Sequence, residues 1–464
     1  VRAAVEGRAV ALHQTDHAQG HILPDVEGWL RLGVRGLRER VEAARQQRPE
    51  REVYDRAALI ALEAAGAYMA RYATLAARLS EEVPDPSRRS ELLRIAGHCA
   101  WLAENPARDY WEALQAVWFL FVLLQIESNA SSFSPGRLDQ YLLPYLERDL
   151  AQGRLTLGQA QALLEQLWLW FNGIVLLRSS ASARYFAGFP IGFNIVLGQQ
   201  RPGGGDATNL LSYMALRAQA DLGLPQPNLS IRIHRQSPQA FLLAASAVIG
   251  RGGGMPQVFN DEVIIPGQMG RGVAPEDARN YAVVGCVELS IPGKALGWSD
   301  AAMLNMARVL ELTLHGGRDP QSGRQVGLQT PSLDRMASYA ELEQAYERQL
   351  AHFVALMVQG CDAIDRLHAE LLPSPLLSLV VNDCTERGLD VTAGGAHYNF
   401  AGPQGVQIAN VADSLAAVRQ AVFEEQRVRA EDLLAALRDD FAGHEALQQY
   451  LLNQVPKYGN DDDR

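Results

Sequence analysis

Cysteine is scarce in this chain, with four thiols in 464 residues, at positions 99, 286, 361 and 384. None pair at CxxC spacing, which excludes a disulfide framework and leaves a reducing cytosol as the natural compartment. Clustered basic residues are also lacking. The chain has 42 Lys and Arg against 53 Asp and Glu, a net charge of −11, so a surface built to neutralise nucleic-acid phosphates is not expected. No apolar run reaches the length of a membrane span. The most apolar segment, 118–126, follows Arg108, Asp109 and Glu112 and is closed by Glu127, so it reads as a buried helix. There is no signal-peptide block. The chain opens at Val1 rather than at methionine, and an upstream segment is expected.

What is present is the balance of a large globular protein: 48% hydrophobic and 20% charged residues. The first third reads as helices, with apolar residues three and four apart over 26–47, 54–79, 90–104, 110–126, 138–150 and 157–177. Near Tyr185 the character changes. Short apolar runs at 193–197, 229–233, 256–259 and 281–284 alternate with helical stretches at 209–220, 238–249 and 301–314, which predicts an α/β arrangement. A long helix over 339–371 follows a Pro/Ser/Gly-rich loop. No fixed-period repeat is present.

Cys286 stands out chemically. It lies in Tyr281-Ala-Val-Val-Gly-Cys-Val-Glu-Leu-Ser290, where a buried strand runs up to Gly285 and a carboxylate follows two residues after the thiol. Extended backbone puts residues i and i+2 on one side, so Cys286 and Glu288 are expected to face one cavity. Gly285 leaves room for a close approach by another group. Asp300 stands before an amphipathic stretch as an expected helix N-cap. Two plainer alternatives stay open at this level. One is a core cysteine with a capping glutamate. The other is a nucleophilic Cys–His pair drawing on a distant His234 or His397.

The block GCVELSIPGKALGWSDAAMLNMARVLELTLHGG, 285–317, resembles the cysteine loop of glycyl radical enzymes of the pyruvate formate-lyase-like superfamily. Six further blocks resemble that superfamily in the same order: ESNASSFSPGRLDQYLLPY at 127–145, YFAGFPIGFN at 185–194, LPQPNLSIRIH at 224–234, MPQVFNDEV at 255–263, IANVADSLAAV at 408–418 and PKYGNDDD at 456–463. Together they span nearly the whole chain.

The resemblance implies a ten-stranded α/β barrel of two five-stranded half-barrels, surrounded by helices, with residues 1–464 forming one incomplete barrel domain. It implies a thiyl radical at Cys286, formed from a glycyl radical and held in a closed interior. That radical is installed by a separate activating enzyme with S-adenosylmethionine and an iron–sulfur cluster, so no cofactor is expected on this chain itself and no metal ligand is assigned. Glu288 corresponds to the base that takes a proton from a substrate hydroxyl. Asp300 corresponds to the acid that protonates a departing hydroxyl, and His21 to a substrate-side histidine, with His17 as its competitor. The glycyl segment, typically Arg-Val-Ser/Thr-Gly-Tyr/Phe, does not occur in these residues, so the sequence is expected to stop before it and to be inactive alone.

Three departures bear on the substrate. Ala130-Ser131-Ser132 stands where diol dehydratases carry Gly-His-Ser, Phe189 where several relatives have tyrosine, and Leu289 where many have proline. Ser131, Ser132 and Phe189 are thus expected to line a pocket less polar than one for glycerol. Gly285 and Val287 flank the single thiol, so the two-cysteine acyl-transfer branch is disfavoured. The expectation is a cytoplasmic radical lyase acting on a small organic molecule by dehydratase-like C–O cleavage, with a homodimer allowed. A C–C lyase or decarboxylase of the same family and a catalytically incompetent barrel fragment are the alternatives.

Overall fold

The structure, a computed structural model, describes residues 1–15, 18–177, 179–185 and 192–462. Two compact units emerge. One comprises 1–15, 300–365 and 401–464, and the larger comprises 16–299 and 366–400. Ten strands run in chain order among the described residues: β1 (Val10–Leu12), β2 (Asn194–Gly198), β3 (Asn228–Ile233), β4 (Gln257–Asn260), β5 (Ala282–Val284), β6 (Glu288–Ser290), β7 (Ala295–Leu296), β8 (Ser299–Asn305), β9 (Tyr398–Asn399) and β10 (Gly402–Val406).

The helical third of the larger unit follows the apolar periodicity closely. Val26–Gln47 begins where Asp25 accepts a hydrogen bond from the Gly28 amide, satisfying one of the donors a helix start leaves open. Tyr110–Ser128 starts at Asp109, whose carboxylate accepts from the Glu112 amide. Its Tyr110, Leu114, Ala116, Val117, Phe119, Leu120, Phe121 and Leu123 are buried, an arc wider than the single stripe of a surface helix. Phe121 meets Phe171 and Phe193 edge-on at 5.8 and 5.6 Å. Since Phe193 leads into β2, this contact joins the helices to the sheet. Asn129 then ends the helix in the left-handed region and exchanges two hydrogen bonds with the Leu177 backbone, which sets the start of the Ala130–Ser131–Ser132 segment.

The alternation of runs and helices produces a parallel sheet, β2–β3–β4. Every residue of β2 is buried, as a parallel strand covered on both faces requires. The α/β class is as the sequence predicts. Among the described residues the parallel sheet has three strands. β5 and β6 instead form an antiparallel hairpin in register Ala282↔Ser290, Val283↔Leu289 and Val284↔Glu288. A buried ion pair underlies this region: Arg232 of β3 meets Asp261 through two hydrogen bonds of 2.7 and 2.9 Å, with both side chains fully buried.

In the smaller unit, β8 lies between β1 and β10, antiparallel to β1 with Val10↔Leu304, Ala11↔Met303 and Leu12↔Ala302. This corrects the expectation of a helix over 301–314 capped by Asp300. The helix is Met306–Leu314, and its N-cap is Asn305, which accepts from the Arg308 amide. Pairing with β1, almost 300 residues away in the chain, holds 301–305 extended despite an amphipathic pattern.

Candidate active site

Cys286 sits at the tip of the β5–β6 hairpin. The ladder closes at Val284↔Glu288, so Gly285, Cys286 and Val287 form the turn. The sequence-based picture of thiol and carboxylate two apart along an extended strand is therefore replaced by a turn that folds the carboxylate back. Glu288 Oε2 accepts from the Cys286 amide at 2.8 Å and the Val287 amide at 3.0 Å. The Cys286 backbone and the Glu288 carboxylate thus meet by a geometry other than the one expected. Cys286, at the hairpin tip, is also exposed where an enclosed thiol was expected.

Gly285 adopts φ +66°, a left-handed conformation that suits a residue without Cβ. A Cβ built there would lie 2.5 Å from His21 Cδ2, 2.7 Å from His21 Nε2 and 2.7 Å from Glu288 Oε2. An imidazole and a carboxylate thus converge on the residue before the thiol. Gly192 packs from another side, and its added Cβ would meet Ser132 Oγ at 2.4 Å and Gly285 Cα at 3.3 Å. The His21 amide donates to the Ser131 carbonyl at 2.9 Å. Cys286, Glu288, His21, Ser131 and Ser132, spread over more than 260 positions of chain, therefore lie in one unit, on segments packed around the hairpin. Phe189 and His17 lie outside the described residues.

The turn is held from below by polar side chains that sequence reasoning missed. The Gly285 carbonyl accepts from Asn194 Nδ2 at 3.1 Å and Asn228 Nδ2 at 3.2 Å, and the Gly285 amide reaches Ser134 Oγ at 3.5 Å. An asparagine in a strand carries no chemical label, so only its register could have exposed this role.

Asp300 belongs to the smaller unit, at φ +60°, and its contact there is His13, Nδ1 to Oδ1 at 2.9 Å. This histidine was also missed. The hydrogen bond to Asp300 raises the His13 pKa above its ordinary value, against the opposing effect of burial. A raised imidazole pKa stabilises the folded chain below the unfolded value, and the contribution is lost as pH climbs through the folded value. Asp300→Asn should therefore move the His13 titration to lower pH, read as the imidazole shift in an NMR titration. An unmoved midpoint would deny the pairing.

His98, Asp109 and Glu112 bring ligand-type atoms within 4.8 Å of one another. Both Glu112 oxygens, however, take N–H groups of Arg108, which occupies the place of a cation.

A thiol, a carboxylate and an imidazole gathered at one glycine-supported hairpin define a cysteine-centred site on an α/β scaffold. The whole chain, residues 1–464, matches the family described as Pyruvate formate lyase-like, and the protein belongs to it. It is 36% identical over 454 residues to a (2S)-3-sulfopropanediol dehydratase of Klebsiella oxytoca, covering 96% of this chain and 55% of that protein. It is 37% identical over 401 residues to a trans-4-hydroxy-L-proline dehydratase of Clostridioides difficile, covering 85% of this chain and 50% of the relative. The glycerol-bound B12-independent glycerol dehydratase from Clostridium butyricum superposes with a TM-score of 0.96 at 39% identity, over all of this chain and 59% of that one. The chain spans about half the length of the curated relatives it matches.

Proposed function

We propose that this chain is the thiyl-bearing part of a glycyl radical dehydratase, acting on a small hydroxylated substrate with Cys286 as the hydrogen-abstracting residue. One observation carries the reading: the Glu288 carboxylate and the His21 imidazole converge on Gly285, immediately before Cys286. The dehydratase relatives and the glycerol-bound neighbour support the reaction type.

A glycyl radical, carried outside these residues and installed by an S-adenosylmethionine-dependent activating enzyme, would take the hydrogen atom of the Cys286 thiol and leave the unpaired electron on sulfur as a thiyl. Cys286 takes a hydrogen atom from a substrate carbon, forming S–H and leaving the electron on carbon. Glu288 removes the proton of the hydroxyl on that carbon, and the resulting ketyl expels the neighbouring oxygen. Protonation of that oxygen, with the proton returned from Glu288, releases water. The thiol returns its hydrogen atom to the product radical and regenerates the thiyl. No step consumes an external oxidant.

The test is anaerobic incubation of the complete polypeptide with its activating enzyme and a panel of vicinal hydroxyl compounds, scoring carbonyl product. Absence of such product from every member would overturn the reading. Within the panel, glycerol and 1,2-propanediol should turn over poorly. Ser131 stands in place of an imidazole and Phe189 in place of a phenol, and a site lacking those hydrogen bonds does not strongly favour small polyols. Efficient turnover of either diol would refute this narrower statement.

A further inference from the structure

We propose that Asn194 and Asn228 are positioning residues whose two side-chain amides grip the Gly285 carbonyl and set the height of the Cys286 turn. The proposal rests on the thiyl reading of Cys286 and adds what places the sulfur.

The two asparagines are register partners on adjacent parallel strands, Asn194 of β2 opposite Asn228 of β3. Side chains at paired positions on one face of a sheet stand next to each other, so both amides reach one acceptor. A carbonyl oxygen has two lone pairs, and here each amide supplies one N–H, at 3.1 and 3.2 Å. The hairpin ladder ends one residue earlier, at Val284↔Glu288, so the Gly285 carbonyl takes no part in it. The grip therefore replaces cross-strand bonding at the residue before the thiol.

The donor orientation is fixed as well. Asn228 Oδ1 accepts from Gln226 Nε2 at 2.8 Å, which leaves Nδ2 to face Gly285. Asn194 is fully buried, and its Oδ1 has no hydrogen-bond partner among the described residues. A buried amide that satisfies only its donor end is unfavourable for stability, which points to a role for that donor other than stability. Ser134 completes the support: its Oγ donates to the Gly192 carbonyl at 3.2 Å and accepts from the Asn194 backbone N–H at 3.0 Å.

Hydrogen-atom transfer requires sulfur and carbon in contact, and a misplacement of about 1 Å can cost about 10²-fold in rate. Two donors fixed on a rigid sheet hold the turn in two directions, whereas one would leave it a pivot.

The test uses the complete, activated enzyme. Asn228→Asp keeps the shape and the bond from Gln226 but turns an oxygen toward the Gly285 carbonyl. Asn194→Leu removes the donor together with the unpartnered oxygen. Each should lower kcat by about 10- to 100-fold, change KM less than about threefold and leave the stored glycyl radical signal in electron paramagnetic resonance unchanged. Asn194→Leu should melt no lower than the parent, so rate and stability part company. Wild-type kcat in both variants overturns the proposal, and so does a fall in melting temperature that accompanies the loss of rate. If Asn194→Leu does not fold, Asn228→Asp decides alone. A Cys286→Ala control separates the two levels: turnover by that variant sinks the thiyl reading itself, whereas an inactive control beside fully active asparagine variants rejects only the grip.

Discussion

Cys286→Ala in the complete, activated enzyme is expected to abolish turnover while the glycyl radical signal persists. On the proposed reading the stored radical lies on another segment and is installed by another protein, so its formation does not need the thiol. Hydrogen abstraction does, and alanine offers no S–H bond to exchange. Glu288→Gln sharpens the result. The glutamine carbonyl can still accept the Cys286 and Val287 amides that Glu288 Oε2 now takes, so the turn keeps its shape while the side chain loses its basicity. The rate should fall by about 10²–10⁴-fold, the usual contribution of a positioned base, again with the radical signal intact. Consumption of substrate by Cys286→Ala would return that residue to the rank of an ordinary cysteine. Wild-type rates for Glu288→Gln would leave the carboxylate a turn-closing group only.

The largest stability effect should come from Arg232→Met, with a loss of about 3–5 kcal/mol, because it leaves a buried carboxylate without its counter-charge. Arg232 ties together three parts of the larger unit. From β3 it binds Asp261, donates to the Tyr281 carbonyl at 2.6 Å and the Arg279 carbonyl at 3.0 Å, and stacks 3.7 Å over the Tyr281 ring. Tyr281 in turn donates its hydroxyl to Asp261 at 2.8 Å. Tyr281 directly precedes β5, so the same network anchors the strand that ends at the Cys286 turn. The midpoint of urea denaturation should drop sharply for the single variant. The double variant Arg232→Met with Asp261→Leu should recover much of the loss, since a buried pair exchanged for apolar groups is often neutral. A single variant as stable as the parent would show that the pair contributes nothing.

The sequence by itself determined the elements whose signal is local. The helices Val26–Gln47 and Tyr339–Leu371 run over the stretches that their apolar spacing marks. The strands Asn194–Gly198, Asn228–Ile233, Gln257–Asn260 and Ala282–Val284 fall within one residue of the predicted runs. A helix buries one stripe and a covered strand buries both faces, and each leaves its own period in the chain. The thiol, the nearby carboxylate and the glycine that admits a close neighbour were legible because they lie within four consecutive residues.

Only the tertiary structure decided the rest. Residues 301–305 carry a helical pattern yet lie extended, because β1 supplies hydrogen-bond partners that no local window contains. Cys286 and Glu288 were expected to share a face of one strand; the antiparallel return of β6 makes the residues between them a turn and brings the carboxylate onto the turn amides. The imidazole of His21, the hydroxyl of Ser132 and the amides of Asn194 and Asn228 reach Gly285 or its neighbours from four distant segments. Such meetings depend on strand register and loop closure, which are set by the packing of the whole core rather than by any run of residues.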